Sequence, residues 1–431
     1  MGVSHLKTAP GLPPQTAGDT SEIVRQMLTR IKAEGEAAVR DYAERLDGHE
    51  GDIVVPSEAV AAAADRLTAD EREMIAYAHD NIRRFAEAQR ATAGDMEIEL
   101  RPGLVAGQRY IPLSAAGCYV PGGRYAHLAS ALMTITTARA AGVPFVTACS
   151  TPRDGEIPAA ILYAMHLAGA DLVLALGGVQ GVAAMAQGLY GAPPADILVG
   201  PGNQFVAEAK RQLFGGVGID MIAGPTDSFV LADASAVPIT VAWDLVGQAE
   251  HGFFSPVWLV TDHKPLAEEV MQLVPQCIGT LPDVNRDSAR SAWESLGEVM
   301  VVENREEIVV QANRIAPEHL HVQAADLEWW KQNLTAYGSL FLGQNTTVAF
   351  GDKASGPNHV LPTSGAARYT GGLSVHKFLK CVTWQTVTED AMPELARATA
   401  VISRMEGMEG HARTADIRLE KADAPIKFAG Q

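Results

Sequence analysis

The alternation of short apolar segments with helical segments after residue 116 restricts the possible fold more than any other feature. Strand candidates lie at 145–150, 171–177 and 197–200, and helix candidates lie at 129–141, 158–168, 180–190 and from 203 to about 214. Strands that alternate with helices of this length form βαβ units, which build a parallel sheet with helices on both faces. We therefore predict an α/β module here.

A second series of the same kind follows. Its strand candidates are 229–232, 257–261, 298–303 and 339–342, and its helix candidates lie near 240–250, 265–274, 306–314 and 326–334. Two similar α/β modules in tandem suggest an ancient duplication, although no direct sequence repeat is visible. The 431 residues also exceed what one compact core accommodates, so two or three domains are expected.

The segments that flank the two modules have other patterns. Residues 1–20 are rich in Pro and Gly and are expected to form an arm. The following residues, to about 95, show the apolar spacing of helices, and 96–111 contain two strand candidates. From about residue 376 the pattern returns to helix and ends in a charged tail.

Composition and charge exclude several classes of protein. The formal net charge of −17 argues against a nucleic-acid partner, because phosphates require clustered Lys and Arg side chains. The four cysteines are far apart and form no CxxC pair, which suits a reducing compartment. The N-terminus lacks the apolar region of a signal peptide, and no run approaches the roughly 20 apolar residues of a membrane helix. We expect a cytoplasmic enzyme with no membrane partner.

Three Gly-rich turns fall where a predicted strand ends and a helix begins. They are 119–123 (YVPGG), 177–180 (GGVQ) and 200–203 (GPGN). Doubly wound sheets bind ligands at such turns, where helix N-termini face anionic groups. None of the three is a strict GxGxxG motif, and plain turn chemistry is the alternative explanation. Their occurrence in consecutive βα units makes a nucleotide cleft and plain turn chemistry equal alternatives.

Several polar side chains have the chemistry of metal ligands. Gln248 and His251 are three residues apart in a predicted helix and therefore share one face. Further candidates downstream are Asp352, His359, Glu406 and His411. Together they form a mixed nitrogen and oxygen set that zinc accepts, although spacing alone cannot assemble them. The alternative for each is a surface or core polar residue, and the HExxH motif is absent.

The adjacent pair Glu318 and His319 has the chemistry to move protons. Histidine titrates near neutral pH, and a carboxylate beside it polarises water or stabilises the imidazolium. The alternative is the first turn of a helix that begins after Pro317. Arg368, His376 and the segment 377–380 form a modest basic cluster, which is either an anion pocket or a solvated face.

These segments resemble those of the histidinol dehydrogenase family from about residue 20 to the C-terminal tail. The matching segments are YVPGG (119–123), GPGNQFVAEAK (200–210), IDMIAGPTD (219–227), DLVGQAEHG (244–252), APEHL (316–320), GDKASGPNHVLPT (351–363) and GGLSVHKFLK (371–380), with Glu406 and His411 in addition. So many separate matches in the same order make the resemblance specific.

The resemblance implies two Rossmann-like parallel-sheet domains with helical terminal segments in an intertwined homodimer. The expected division is an arm at 1–20, a first α/β domain of 21–117 with 226–375, a Rossmann-like domain at 118–225 that forms the NAD cleft, and a tail at 376–431 that reaches the partner subunit. The implied reaction is oxidation of an alcohol to a carboxylate in two hydride transfers, with two NAD per substrate and one zinc ion per subunit.

The resemblance also assigns roles to individual residues. The implied zinc ligands are Gln248, His251, Asp352 and, across the dimer, His411 of the partner subunit. Glu318 and His319 are the implied catalytic pair. The implied substrate-binding residues are Thr226, His359 and Glu406, and the implied NAD contacts are Tyr119, Gln180 and Asn203.

The departures from the family pattern lie where they would shape the substrate. The segment 124–130 reads RYAHLAS, and His376 and Lys377 replace positions that are commonly acidic. We therefore expect an anionic substrate, for which 2,3-dihydroxypropane-1-sulfonate, the substrate of the family's sulfopropanediol dehydrogenases, is favoured. His127 is the first candidate for the sulfonate contact, ahead of Arg124 and Lys377. The alternatives are histidinol, which the retained Glu406 favours, and a non-catalytic ligand-binding relative.

Overall fold

The computed structural model describes residues 2–11, 17–122, 127–222 and 224–420. The chain divides into two compact units, residues 1–90 with 112–378 and residues 91–111 with 379–431. The first unit opens with strand β1 (Ser4–Lys7) and four helices, α1 (Ala17–Glu34), α2 (Glu36–Asp47), α3 (Ser57–Ala62) and α4 (Ala69–Ala91). Strands β2 (Met96–Arg101) and β3 (Leu104–Pro112) come next in the chain.

The first α/β module is a five-stranded parallel sheet. Its elements are β4 (Ala115–Val120), α5 (Leu128–Ala141), β5 (Phe145–Ser150), α6 (Ala159–Ala168), β6 (Leu172–Ala175), α7 (Gly178–Gln187), β7 (Ile197–Val199), α8 (Gln204–Leu213) and β8 (Gly218–Ile219). The strand order is β6-β5-β4-β7-β8. In chain order this is 3-2-1-4-5, the Rossmann arrangement, whose ligand crevice opens between the first and fourth strands.

The second α/β module repeats this order. Its elements are β9 (Ser228–Ala232), α9 (Pro238–Ala249), β10 (Val257–Thr261), α10 (Lys264–Gly279), α11 (Asp283–Leu296), β11 (Glu298–Val301), α12 (Arg305–Ile315), β12 (His319–Gln323), α13 (Leu327–Asn333), β13 (Ser339–Leu342) and α14 (Val348–Lys353). The strand order is β1-β11-β10-β9-β12-β13, with only β1 antiparallel. The predicted α/β fold with two parallel sheets is confirmed.

The arm predicted at the N-terminus supplies an edge strand, since Ser4 pairs with Val301 on β11. Residues 21–117 do not pack as the sequence division expects. Helices α1 and α2 pack on α7 and α8 beside the five-stranded sheet, because apolar residues such as Val24 and Ile31 join that core. Strands β2 and β3 belong to the second unit instead.

The second unit combines a small sheet with a helical hairpin. Strand β14 (Leu379–Val387) pairs with β3, which pairs with β2 in antiparallel fashion. Helices α15 (Met392–Met405) and α16 (Glu409–Leu419) pack on each other through small residues, Ala396, Ala400, Ala412 and Ala415. Across the described ranges of both units, no helix is long and apolar enough to cross a membrane.

Candidate active site

The three Gly-rich turns of the first module meet at one cleft of about 710 Å³ at the carboxyl ends of its strands. Tyr119, Gln180 and Asn203, which the sequence assigns to NAD, all line this cleft. The Tyr119 hydroxyl accepts a hydrogen bond from the Gly178 amide at 3.1 Å. The Asn203 side chain accepts hydrogen bonds from two amides and caps α8. The structure therefore brings the three predicted residues together beside the N-termini of α7 and α8, where anionic groups bind favourably.

The turn after β7 depends on a glycine. Gly200 has φ +116°, and a Cβ there would lie 2.1 Å from the Tyr119 carbonyl oxygen. A buried ion pair between Lys210 and Asp220 fixes the turn from below. The Lys210 Nζ donates to the Gly200 carbonyl at 2.9 Å, and the Gly200 amide donates to Asp220 at 2.7 Å. The GPGN turn is thus held rigidly against β4.

A second polar site surrounds Asp352, a buried carboxylate near the C-terminal end of α14. Its Oδ2 atom lies 3.4 Å from Nε2 of Gln248 and 3.5 Å from Nε2 of His251. Its Oδ1 atom lies 3.5 Å from Nε2 of His319. Four residues that the sequence singles out from three distant segments therefore converge on one point.

The elements differ in detail from the sequence prediction. Gln248 lies on α9, but the helix ends at Ala249, and His251 follows its C-cap. The alternative reading of Glu318 and His319 as a helix start is wrong, because His319 begins the buried strand β12, paired with β9 and β13. Asp352 lies on the short helix α14, for which the sequence analysis gives no element. Each difference leaves the side chains in reach of one another.

The Glu318 carboxylate is locked against Asp227. The Asp227 amide donates to Glu318 at 3.1 Å, and the Glu318 amide donates to the Asp227 carboxylate at 2.7 Å. Burial raises the pKa of Glu318 to about 8. Burial alone would lower the pKa of His319, but the carboxylates of Glu318 and Asp352 outweigh it and raise the pKa to about 9. The pair therefore holds a proton tightly within reach of the Asp352 carboxylate.

Asp352 behaves in the opposite way from Glu318. Burial opposes its ionisation, but hydrogen bonds from His251 and His319 lower its pKa well below the usual value. It is therefore an anion at neutral pH. Beside it, Oε1 of Gln248 is buried and has no hydrogen-bond partner. The amide of Gln248, the imidazole of His251 and the carboxylate of Asp352 lie together, and these three side-chain types supply ligands that fit a divalent ion such as Zn²⁺.

In the part of the chain that the structure describes, His251 and Asp352 do not form a metal-binding group with a third His, Cys, Asp or Glu side chain. Within the described ranges, no group of three or more His, Cys, Asp or Glu side chains is arranged to hold a metal. Gln248 is an amide and therefore stands outside such a group. His411 is exposed on α16 and Glu406 is the C-cap of α15, so both belong to the second unit.

The predicted substrate residue His359 contacts the backbone of Asp352. The His359 Nδ1 atom hydrogen-bonds the Asp352 carbonyl at 2.8 Å, and its Nε2 atom lies 2.9 Å from Oγ of Ser130 on α5. His127 precedes α5 as its N-cap. Its pKa is lowered to about 4, chiefly by burial and next by the charge of Lys353, with His359 and His251 also acting on it.

The remaining predicted residues are placed as follows. Thr226 is partly buried, beside Asp227 and before β9. The ammonium group of Lys377 donates to Thr370 at 3.4 Å, and His376 is exposed. Arg124 lies outside the described residues.

Sequence reasoning missed Asp244, which ties together the elements that carry the second site. Its carboxylate accepts hydrogen bonds from Thr347, the N-cap of α14, at 2.7 Å and from Gln323 on β12. Asp244 itself lies on α9, four residues before Gln248. The sequence does contain a signal for Asp244. Residues four apart share a helix face, so Asp244 lies on the same face of α9 as Gln248, and residues 319, 321 and 323 share one face of a strand.

Comparisons with known proteins agree with this architecture. A family model described as histidinol dehydrogenase matches residues 13–419. A histidinol dehydrogenase homolog from Ruegeria pomeroyi is 69% identical over the full length of both chains. Sulfopropanediol 3-dehydrogenase from the same organism is 57% identical over 98% of this chain and 97% of its own. The crystal structure of histidinol dehydrogenase from Elizabethkingia anophelis has a TM-score of 0.90 at 33% identity, covering 95% of this chain and 94% of that one.

Replacing Asp244 with Ala is expected to lower the free energy of unfolding by about 3 kcal/mol, because the buried Gln323 donor and the partly buried Thr347 donor lose their acceptor. Urea unfolding followed by circular dichroism measures this. Asp244→Asn is the matched control, since its amide oxygen still accepts a hydrogen bond, and it is expected to lose clearly less. Equal stability of the Ala variant and the wild type would show that the carboxylate does not join these elements.

Proposed function

Since the chain belongs to the histidinol dehydrogenase family, we propose that it oxidises the primary alcohol of a small anionic diol to a carboxylate with NAD and a bound zinc ion. The favoured substrate is 2,3-dihydroxypropane-1-sulfonate, which would give sulfolactate. Oxidation to the acid passes through an aldehyde that stays bound. The family membership supports the type of reaction, and the charged side chains around His127 support the choice of an anionic substrate.

The observation behind the anionic substrate is the positive surroundings of His127. After burial, the largest effect on its imidazole is the charge of Lys353, and Arg153 acts in the same direction. The neighbouring imidazoles of His359 and His251 belong to the Asp352 site. Cations around a partly buried imidazole favour an anionic ligand, and a bound anion would favour a proton on His127. A sulfonate keeps its charge throughout the pH range in which enzymes work.

The relatives point in the same direction. Identity to the sulfopropanediol 3-dehydrogenase is 57%, whereas identity to the histidinol dehydrogenase of known structure is 33%. A second candidate is oxidation of histidinol to histidine, and Glu406 favours it because a carboxylate suits the ammonium group of that substrate. The third candidate, a non-catalytic ligand-binding relative, is opposed by the convergence of Glu318, His319 and Asp352.

The residues that would hold the metal are Gln248, His251 and Asp352, together with His411 of the partner subunit. When bound, the ion would supply a Lewis acid for the substrate oxygen and a fixed point for its position, and NAD would be the hydride acceptor. Tyr119, Gln180 and Asn203 line the cleft that would receive NAD. A site that excludes water while the aldehyde is bound would protect that aldehyde from side reactions.

His319 is built to accept the proton of the alcohol. Its Nδ1 atom lies 3.3 Å from the Asp227 carbonyl, which can only accept, so Nδ1 carries the hydrogen in the neutral ring. Its Nε2 atom lies 3.5 Å from Oδ1 of Asp352 and is the ring nitrogen that carries no hydrogen in the neutral form, so it is the basic nitrogen. The Glu318 carboxylate, 3.7 Å from the ring, stabilises the imidazolium that forms. In the second half of the reaction Glu318 would take a proton from the water that adds to the aldehyde.

The substrate assignment is tested by steady-state NADH formation with dihydroxypropanesulfonate and with histidinol. We expect a higher kcat/KM for the sulfonate, and a higher value for histidinol would overturn the assignment.

His127→Ala is expected to lower kcat/KM for the sulfonate about tenfold or more, but to affect its uncharged diol analogue little. Lys331→Ala is the control, because that exposed ammonium group on α13 pairs with Glu328. NADH formation that persists after chelator dialysis would exclude the metal, and no NADH with either substrate would favour the non-catalytic alternative.

The rate is expected to rise with pH. A base accepts a proton only when deprotonated, so activity should fall as pH drops through the pKa values of about 8 for Glu318 and about 9 for His319. A bound cation would move this limb to lower pH, because positive charge favours the deprotonated forms. The measurement is kcat/KM against pH for the wild type, for Glu318→Gln and for the exposed control Glu306→Gln. A wild-type kcat/KM that decreases as the pH is raised from 6 to 8 would contradict the assigned roles.

We also infer a homodimer in which the tail of one subunit completes the site of the other. The second unit exposes several large apolar side chains. They include Ile98 and Leu100 on β2, Ile402 and Met405 on α15, and Ile417 on α16. Apolar surface of this kind in one small unit is typical of a protein interface. A second copy would cover it and would bring Glu406 and His411 to a site that otherwise has three predicted ligands.

Co-expression of two inactive variants tests the exchange of tails. His319→Ala disables the body of a site, and His411→Ala disables the tail. If tails are exchanged, a heterodimer of the two keeps one intact site, and random pairing restores about a quarter of the wild-type activity. Each variant expressed alone is the control. Absence of any restored activity in a purified heterodimer would show that each tail serves its own subunit.

A further inference from the structure

We propose that Asp47, at the end of helix α2, selects the dinucleotide in the first cleft by accepting ribose hydroxyls and rejecting a 2′-phosphate. The carboxylate lines the cleft together with Tyr119 and Gln180. The inference rests on the proposed function in one respect, namely that this cleft takes a nicotinamide dinucleotide. It adds the residue that would distinguish NAD from NADP.

The position of Asp47 relative to the sheet is the first step. In the Rossmann arrangement, the acidic residue that binds the adenosine ribose follows the second strand. The second strand here is β5, and the residues after it are Thr151 and Pro152, neither of which is acidic. Asp47 comes from helix α2 and lies close to Thr151, the first residue after β5. A Cβ on Gly177 would lie 2.2 Å from the Thr151 hydroxyl and 3.1 Å from Oδ1 of Asp47.

The contacts of the carboxylate are the second step. Its Oδ2 atom accepts hydrogen bonds from Nε2 of Gln180 at 2.8 Å and from the Gly177 amide at 3.1 Å. These bonds fix the plane of the carboxylate. Its Oδ1 atom accepts no hydrogen bond from the part of the chain that the structure describes. A fixed carboxylate with one free oxygen at a cleft is preorganised to accept from a ligand hydroxyl.

A second acceptor without a partner lies beside it. Oε1 of Gln180 is buried and has no hydrogen-bond partner, and Gln180 is 1% exposed. Buried polar atoms in folded proteins nearly always have a partner, so this one indicates a donor that arrives with a ligand. Two neighbouring acceptors, one of them charged, match the two donor hydroxyls of an unmodified ribose.

The charge of Asp47 supplies the discrimination. A 2′-phosphate has no donor to offer and places like charge against the carboxylate, which is unfavourable. The only cation that lines this cleft among the described residues is Arg45, and its guanidinium is paired with Asp41 at 3.2 Å. Arg45 therefore does not neutralise Asp47.

Direct titration of the full-length protein with NAD⁺ and NADP⁺ by calorimetry, without alcohol substrate, tests the inference. We expect the wild type to bind NAD⁺ at least about 100-fold more tightly than NADP⁺. Asp47→Asn is expected to weaken NAD⁺ binding and to reduce the ratio at least about tenfold, because the amide removes the charge but keeps an acceptor. Asp47→Glu keeps the charge and is expected to keep most of the preference.

The control is Glu44→Gln, which removes one charge from the exposed face of the same helix and is expected to leave the ratio unchanged. Thermal unfolding of each variant identifies any that fails to fold, and Asp47→Ser, which also removes the charge, then replaces Asp47→Asn in the comparison. An unchanged ratio in folded Asp47→Asn would overturn this inference and leave the proposed function intact. Failure of the wild type to bind either dinucleotide would overturn both.

Discussion

A buried carboxylate must be matched by donors or cations, and in this protein that requirement falls on Asp352. Removing an ion from water is costly unless partners replace the lost hydration. The partners here come from three elements: Gln248 on α9, His251 just beyond it and His319 at the start of β12. Those elements must therefore reach one point for the fold to be stable. The same demand that orders the core assembles the candidate site.

The two α/β modules share one strand order but use opposite ends of their sheets. The first module places its cleft at the carboxyl ends of the strands, where the N-termini of α7 and α8 carry partial positive charge and suit a dinucleotide. The second module places its site at the amino end of β12, where α9 and α14 terminate. Helix C-termini carry partial negative charge, which suits a cation. One topology thus provides two sites of opposite electrostatic character.

The repeating α/β pattern could be predicted from the sequence because strand and helix lengths are local properties. The convergence of Gln248 and Asp352 could not, since 104 residues separate them and only strand order decides which ends meet. Strand β12 escaped prediction because Pro317 and Glu318 also form a good helix start, and only pairing with β9 and β13 decides the matter. Asp47 was missed because its partners lie about 130 residues away. Local propensity carries no information about such contacts.

The two carboxylates that flank His319 show how environment divides labour between identical groups. Glu318 receives one amide donor, from Asp227, but its pKa rises to about 8 because burial dominates. Asp352 is similarly buried, yet its pKa falls because His251 and His319 donate to it. A carboxylate with a raised pKa is the stronger base, and one with a lowered pKa stays an anion that a cation can bind. The donors around Asp352, which Glu318 lacks, therefore account for the opposite pKa shifts of two similarly buried carboxylates.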